Sequence, residues 1–131
     1  RSIGIFPEGT RNRNTHILKR GKRGIGYLTL ESSVRIVPVG LSYSNTWHPQ
    51  RISNIDRVLV KIGNPMEFIE ERELARKIKL STSLSPVEKK SALIYLREKI
   101  TYSIMYQLSV LSGKKYPYKN VVQPPVVRRI K

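Results

Sequence analysis

The side chains best suited to chemistry lie in Phe6-Pro7-Glu8-Gly9-Thr10-Arg11. Gly9 permits a tight turn with exposed backbone N–H groups. Thr10 brings a hydroxyl, and Arg11 a planar guanidinium fork that matches a phosphate or carboxylate. Glu8 is placed to orient Arg11 or to accept a hydrogen bond from a ligand hydroxyl. Lys19, Arg20, Lys22 and Arg23 cluster within five positions and are candidate contacts for the same anion. This set suits the binding of a phosphorylated molecule rather than bond making. The chain has no cysteine, which excludes a thiolate nucleophile, a disulfide scaffold and a Cys-ligated metal. Its two histidines, His16 and His48, fall short of a His-only zinc site, so no metal is expected.

These residues need a frame. The apolar run 2–6 reads as a buried strand, and Pro7 to Thr10 as the turn leaving its carboxyl end, where ligands bind in open α/β sheets. Residues 11–19 read as loop. Residues 22–33 read as a weak helix with Ile25 and Leu28 one turn apart. Gly24 and Gly26 each cost that helix up to ~1 kcal/mol, so close packing must sustain it. Residues 35–41 form a second strand-like run, and Pro38 places it at an edge or bulge. A loop over 43–56 follows, then a third strand over 57–62 that Gly63-Asn64-Pro65 stops. Residues 67–79 predict a short charged helix.

The sharpest local signal is Ser85-Pro86-Val87-Glu88. Ser85 fits an N-cap, Pro86 the first helical position, and Glu88 completes a capping box. Leu93, Leu96, Ile100, Ile104, Leu108 and Leu111 then recur at helical spacing and define a core face. Tyr95, Tyr102 and Tyr106 widen it, and Gly113 is the stop. Residues 114–131, with Pro117, Pro124 and Pro125, read as an extended or disordered tail. The element order predicts an α/β fold: a small, partly parallel sheet flanked by helices.

The 131 residues include 25 Lys and Arg against 9 Asp and Glu, a formal charge of +16. Residues 1–66 carry 11 basic and 3 acidic side chains, and residues 112–131 carry 6 basic and none acidic. Such a surface attracts polyanions: an anionic bilayer, phosphorylated small molecules or nucleic acid. Nucleic acid is the weakest of these expectations, since no helix-turn-helix, zinc-finger or RNA-recognition signature is present. No apolar run approaches the ~18 residues of a membrane span.

Four blocks stand in order: Phe6-Pro-Glu-Gly-Thr-Arg11, Leu18-Lys-Arg-Gly21, Val34-Arg-Ile-Val-Pro-Val-Gly40 and Val58-Leu-Val-Lys-Ile-Gly-Asn-Pro65. Together they resemble the glycerolipid acyltransferase family, whose best-known members are the 1-acyl-sn-glycerol-3-phosphate (lysophosphatidate) acyltransferases. The resemblance spans residues 2–68, with the C-terminal helix similar only in outline. It implies acyl transfer from a thioester of coenzyme A or acyl carrier protein to a lysophosphatidate-type acceptor, giving phosphatidic acid, with no cofactor beyond that co-substrate. It implies acceptor binding by Glu8, Gly9 and Arg11 with Thr10 in support. It implies a site-shaping role for Ile36, Val37 and Pro38. It also implies a peripheral place on the cytoplasmic side of a membrane, with no transmembrane segment in this chain.

The family's general base is the His of a His-x-x-x-x-Asp block, and this chain does not supply it. Gly21 stands five positions after His16, and Ser53 five positions after His48. No catalytic residue is therefore assigned within these 131 residues. The expected organisation is a partial acyltransferase domain over 1–113 and a basic, Pro-containing tail over 114–131. Arg1 stands where an initiator Met would be, which favours a truncated enzyme over a stand-alone pseudoenzyme. The alternative function is a non-catalytic basic module on an anionic membrane or on nucleic acid.

Overall fold

A computed structural model describes residues 1–45 and 55–130. Its elements are α1 (Gly24–Glu31), β1 (Val39–Asn45), β2 (Ile55–Ile62), α2 (Ile69–Leu80), α3 (Pro86–Ser112) and α4 (Pro125–Ile130). The 27-residue α3 is the organising element, and α1, α2, α4 and the sheet all pack on it. Leu96, Ile100 and Ile104 on its core face are buried, joined by Ala92 and Met105.

The start of α3 follows the sequence closely. The Ser85 side chain accepts from the Glu88 N–H, and the Glu88 carboxylate accepts from the Ser85 N–H at 2.9 Å. Gly113 ends the helix in the left-handed conformation, φ 70°. Ser85→Ala is expected to lower unfolding stability by about 1 kcal/mol, measured as a shift in the urea midpoint. Bonds from the Ser85 N–H and then from Arg129 hold the Glu88 carboxyl below its ordinary range. That contribution is present above the ordinary carboxylate pKa and is lost as pH falls through the lower folded value. An acid titration of unfolding stability should therefore flatten in Glu88→Gln.

The sheet corrects the sequence reading. It has two strands, and β1 pairs antiparallel with β2, Val39 opposite Ile62 and Leu41 opposite Val60. Among the described residues the fold is the expected mix of helices and a small sheet, but the pairing is antiparallel rather than partly parallel, and the sheet lies beside a central helix. The only parallel pairing among the described residues is an isolated bridge between Ile17 and Lys115. The run 2–6 is not a strand either. It has no ladder partner among the described residues, and Phe6 is 81% exposed. The second strand begins after Pro38 rather than at residue 35, because Pro38 has no N–H for the ladder. Its carbonyl still accepts the Gly63 N–H at 2.8 Å, and Ile36 pairs with Met66 just before it. The expected loop over 43–56 is shorter than read: β1 runs to Asn45 and β2 starts at Ile55, while 46–54 lie outside the described residues.

Two helices also differ. The buried face of α1 is Ile25, Gly26, Thr29 and Leu30, and Leu28 is exposed. A Cβ on Gly26 would lie 2.1 Å from the Arg97 carbonyl oxygen. The closest approach to α3 thus falls at Gly26 and rotates the core face away from Leu28. The tail is not disordered throughout: residues 125–130 form α4, with Val126 and Val127 buried in the core. Among the described residues, no helix is long and apolar enough to cross a membrane.

Candidate functional site

The turn at Phe6–Gly9 closes with the Gly9 N–H donating to the Phe6 carbonyl at 3.0 Å. Gly9 has φ 70°, a conformation that an L side chain rarely adopts, which explains glycine here. The Lys22 side chain also lies over its α-carbon, and a Cβ would meet Lys22 Cγ at 3.0 Å.

Glu8 braces this turn from behind. Its Oε2 accepts from Asn12 Nδ2 at 2.7 Å and from the Lys19 N–H at 2.6 Å. Lys19 Nζ donates to Thr10 Oγ1 at 3.1 Å and to the Arg11 carbonyl at 2.9 Å. The Lys22 N–H donates to the Pro7 carbonyl at 2.8 Å. Asn12 reaches on to the Ile17 carbonyl, and Asn14 Oδ1 accepts from the His16 and Ile17 N–H groups. The loop over 11–19 is therefore held by its asparagines. Thr10 and Arg11 stay on the exposed side. A rigid turn presenting a hydroxyl and a guanidinium, with an ammonium bonded to that hydroxyl, can hold a phosphate.

The structure divides the four clustered cations between two places. Lys19 and Lys22 attach to the turn. Lys22 also borders a separate cleft, together with Arg20 and Arg23, and Arg23 Nε pairs with Glu98 at 3.3 Å. Ile36, Val37 and Pro38 lie at the entry to β1. Ile36 packs against the core, Val37 is exposed and Pro38 is buried. Among the described residues no hydrogen bond joins them to the 8–11 turn. His16 lies in the exposed loop, and its carbonyl accepts from the Lys115 N–H. His48 lies outside the described residues.

Sequence reasoning passed over Asn12, whose short amide side chain beside a Gly-rich turn is the available signal. It also passed over the tail as a brace. The Leu18 N–H donates to the Lys115 carbonyl at 2.9 Å, and the Gly21 N–H to the Tyr116 hydroxyl at 3.3 Å.

A search of curated proteins and a search of solved structures each find no match to this chain. A family model described as Acyltransferase matches residues 1–42. That stretch holds the braced turn, the clustered cations and the entry to β1, and the match supports an acyltransferase role in general terms.

Proposed function

We propose that this chain is the acceptor-phosphate-binding portion of an acyltransferase of phospholipid biosynthesis. The acceptor is 1-acyl-sn-glycerol 3-phosphate, the donor is a fatty acyl thioester of coenzyme A or acyl carrier protein, and the product is phosphatidic acid. The observation that carries the reading is the braced turn, with Arg11 and Thr10 exposed and Lys19 bonded to the Thr10 hydroxyl.

In the reaction, the acceptor hydroxyl oxygen bonds to the thioester carbonyl carbon. The carbon–sulfur bond breaks, and the hydroxyl proton passes through a general base to the leaving sulfur. Arg11 and the turn supply the anchor that fixes the hydroxyl relative to its phosphate. Neither His16 nor His48 has an Asp five positions on, so we place the base outside these 131 residues and expect binding without turnover from the chain alone. A lipid acceptor requires a membrane surface. The +16 charge suits an anionic leaflet, and we place the protein peripherally on the cytoplasmic side.

The test is a titration of the chain with a soluble, short-chain 1-acyl-sn-glycerol 3-phosphate. Arg11→Ala should weaken binding by about 10–150-fold, the loss of a charge-assisted hydrogen bond. The matching neutral lipid without phosphate should not bind. Equal affinity of wild type and Arg11→Ala would remove Arg11 from the site.

A further inference from the structure

A cleft beside the 20–23 segment is built differently from the turn. It has a volume of about 250 Å³ and lies between that segment, α3 and the 116–121 segment. Tyr102, Tyr116 and Tyr118 form one wall. Their rings pack in a chain, Tyr102 to Tyr116 at 5.8 Å between centroids and Tyr116 to Tyr118 at 4.9 Å. Arg20, Lys22 and Lys119 border the same space. Glu98 is the one acid among its described lining residues, and Arg23 pairs with it. The cleft therefore keeps a surplus of positive charge beside half-buried aromatic faces.

We infer that this cleft binds a phosphorylated nucleoside, the base against the tyrosine wall and the phosphate on Arg20 and Lys119. A bare anion has no use for three aromatic rings, whereas a base stacks on them whatever its identity. An acyl chain needs an aliphatic channel, and this wall is hydroxylated. The volume is just below the ~300 Å³ at which pockets for drug-sized ligands begin, which suits one base and its sugar phosphate. Tyr116 is fixed by the Gly21 N–H, so its own hydroxyl hydrogen is left to donate to a phosphate oxygen or sugar hydroxyl. Burial pushes the Tyr116 hydroxyl pKa up, and a tyrosine keeps this hydrogen at neutral pH in any case. The inference rests on the cleft alone and does not depend on acyl transfer.

The experiment is calorimetric titration of the full chain with adenosine 5′-monophosphate, adenosine 3′,5′-bisphosphate and inorganic pyrophosphate. Saturable binding of either nucleotide, about 5–150-fold tighter than pyrophosphate, is the expected result. A preference for the 3′,5′-bisphosphate identifies the nucleotide end of a coenzyme as the source, and equal binding identifies a free nucleotide. Tyr118→Ala should lose the same factor and Tyr118→Phe should keep it. Lys119→Glu, at an exposed position, should weaken binding of every ligand, and it serves if Tyr118→Ala fails to fold. No nucleotide binding, pyrophosphate binding as tight as the nucleotides, or affinity unchanged in Tyr118→Ala and Lys119→Glu would overturn the inference. So would a single-stranded oligonucleotide that binds far more tightly with a steep salt dependence, which would make the cleft part of a nucleic-acid surface.

Discussion

Replacing Ile100 with alanine should lower unfolding stability by about 2–5 kcal/mol, measured from the urea midpoint at constant slope. Ile100 lies fully buried midway along α3, within the cluster that joins α1, α2 and α4. The loss combines the transfer of the missing carbons with the cavity they leave. The neighbours cannot close on that cavity, because they belong to different elements held on other sides of α3. Small domains are stable by only about 5–15 kcal/mol, so this one side chain accounts for a large share. Lys90→Ala on the exposed face of the same helix is the control and should stay within about 0.5 kcal/mol. A matching loss in both variants would mean that the burial of Ile100 is not what makes its replacement costly.

Gly26→Val is expected to cost about 3 kcal/mol, the upper end of the overpacking range, in the same measurement. Two effects oppose each other here. A side chain at a helix-interior glycine gains up to ~1 kcal/mol of backbone entropy. Against that, a Cβ would sit 2.1 Å from the Arg97 carbonyl oxygen and 2.7 Å from Thr101 Oγ1. Thr101 can rotate, but the carbonyl is main chain and is already bonded to the Thr101 hydroxyl. The helices must therefore move apart by more than an ångström, and the steric cost exceeds the entropic gain. The displacement would also reach the Gly9 turn, since α1 begins two residues after Lys22, whose N–H holds Pro7. Gly24→Ala is the contrasting variant, because nothing lies within 4 Å of its added carbon. It should be neutral or slightly stabilising.

The features legible in the sequence were those carried by neighbouring residues. The Ser85 and Glu88 reciprocal bonds, the stripe from Leu93 to Leu111 and the Gly113 stop each depend on a few positions along one helix. The turn at Gly9 was legible for the same reason. The sheet was not, because pairing is a property of two segments. The run 2–6 has strand composition yet finds no neighbour among the described residues, and composition cannot supply one. The antiparallel pairing had a usable signal in length. The connection over 46–54 is shorter than the dozen or more residues a parallel crossover needs, but the strand ends had to be known first.

The tail differs from its extended reading because a proline can also open a helix. Pro125 opens α4, a position where its missing N–H costs nothing, and Val126-Val127 supplies the apolar contact. The candidate site divided along similar lines. Lys19 and Lys22 lie beside the turn, but spacing could not tell that Arg20 and Arg23 line a cleft with the 116–121 segment. Part of that cleft's lining comes from the 116–121 segment, far along the chain.

The parallel bridge between Ile17 and Lys115, with the bond from Gly21 to Tyr116 across 95 positions, also sets an order of events during synthesis. The ribosome releases the Gly9 turn well before the residues that brace it. Until residues near 116 emerge, Gly9 and Arg11 belong to a loop whose closure must still overcome the entropy of a long chain. The site is therefore a late product of translation. A stop near residue 113 would leave α3 whole while the Gly9 turn lost its support.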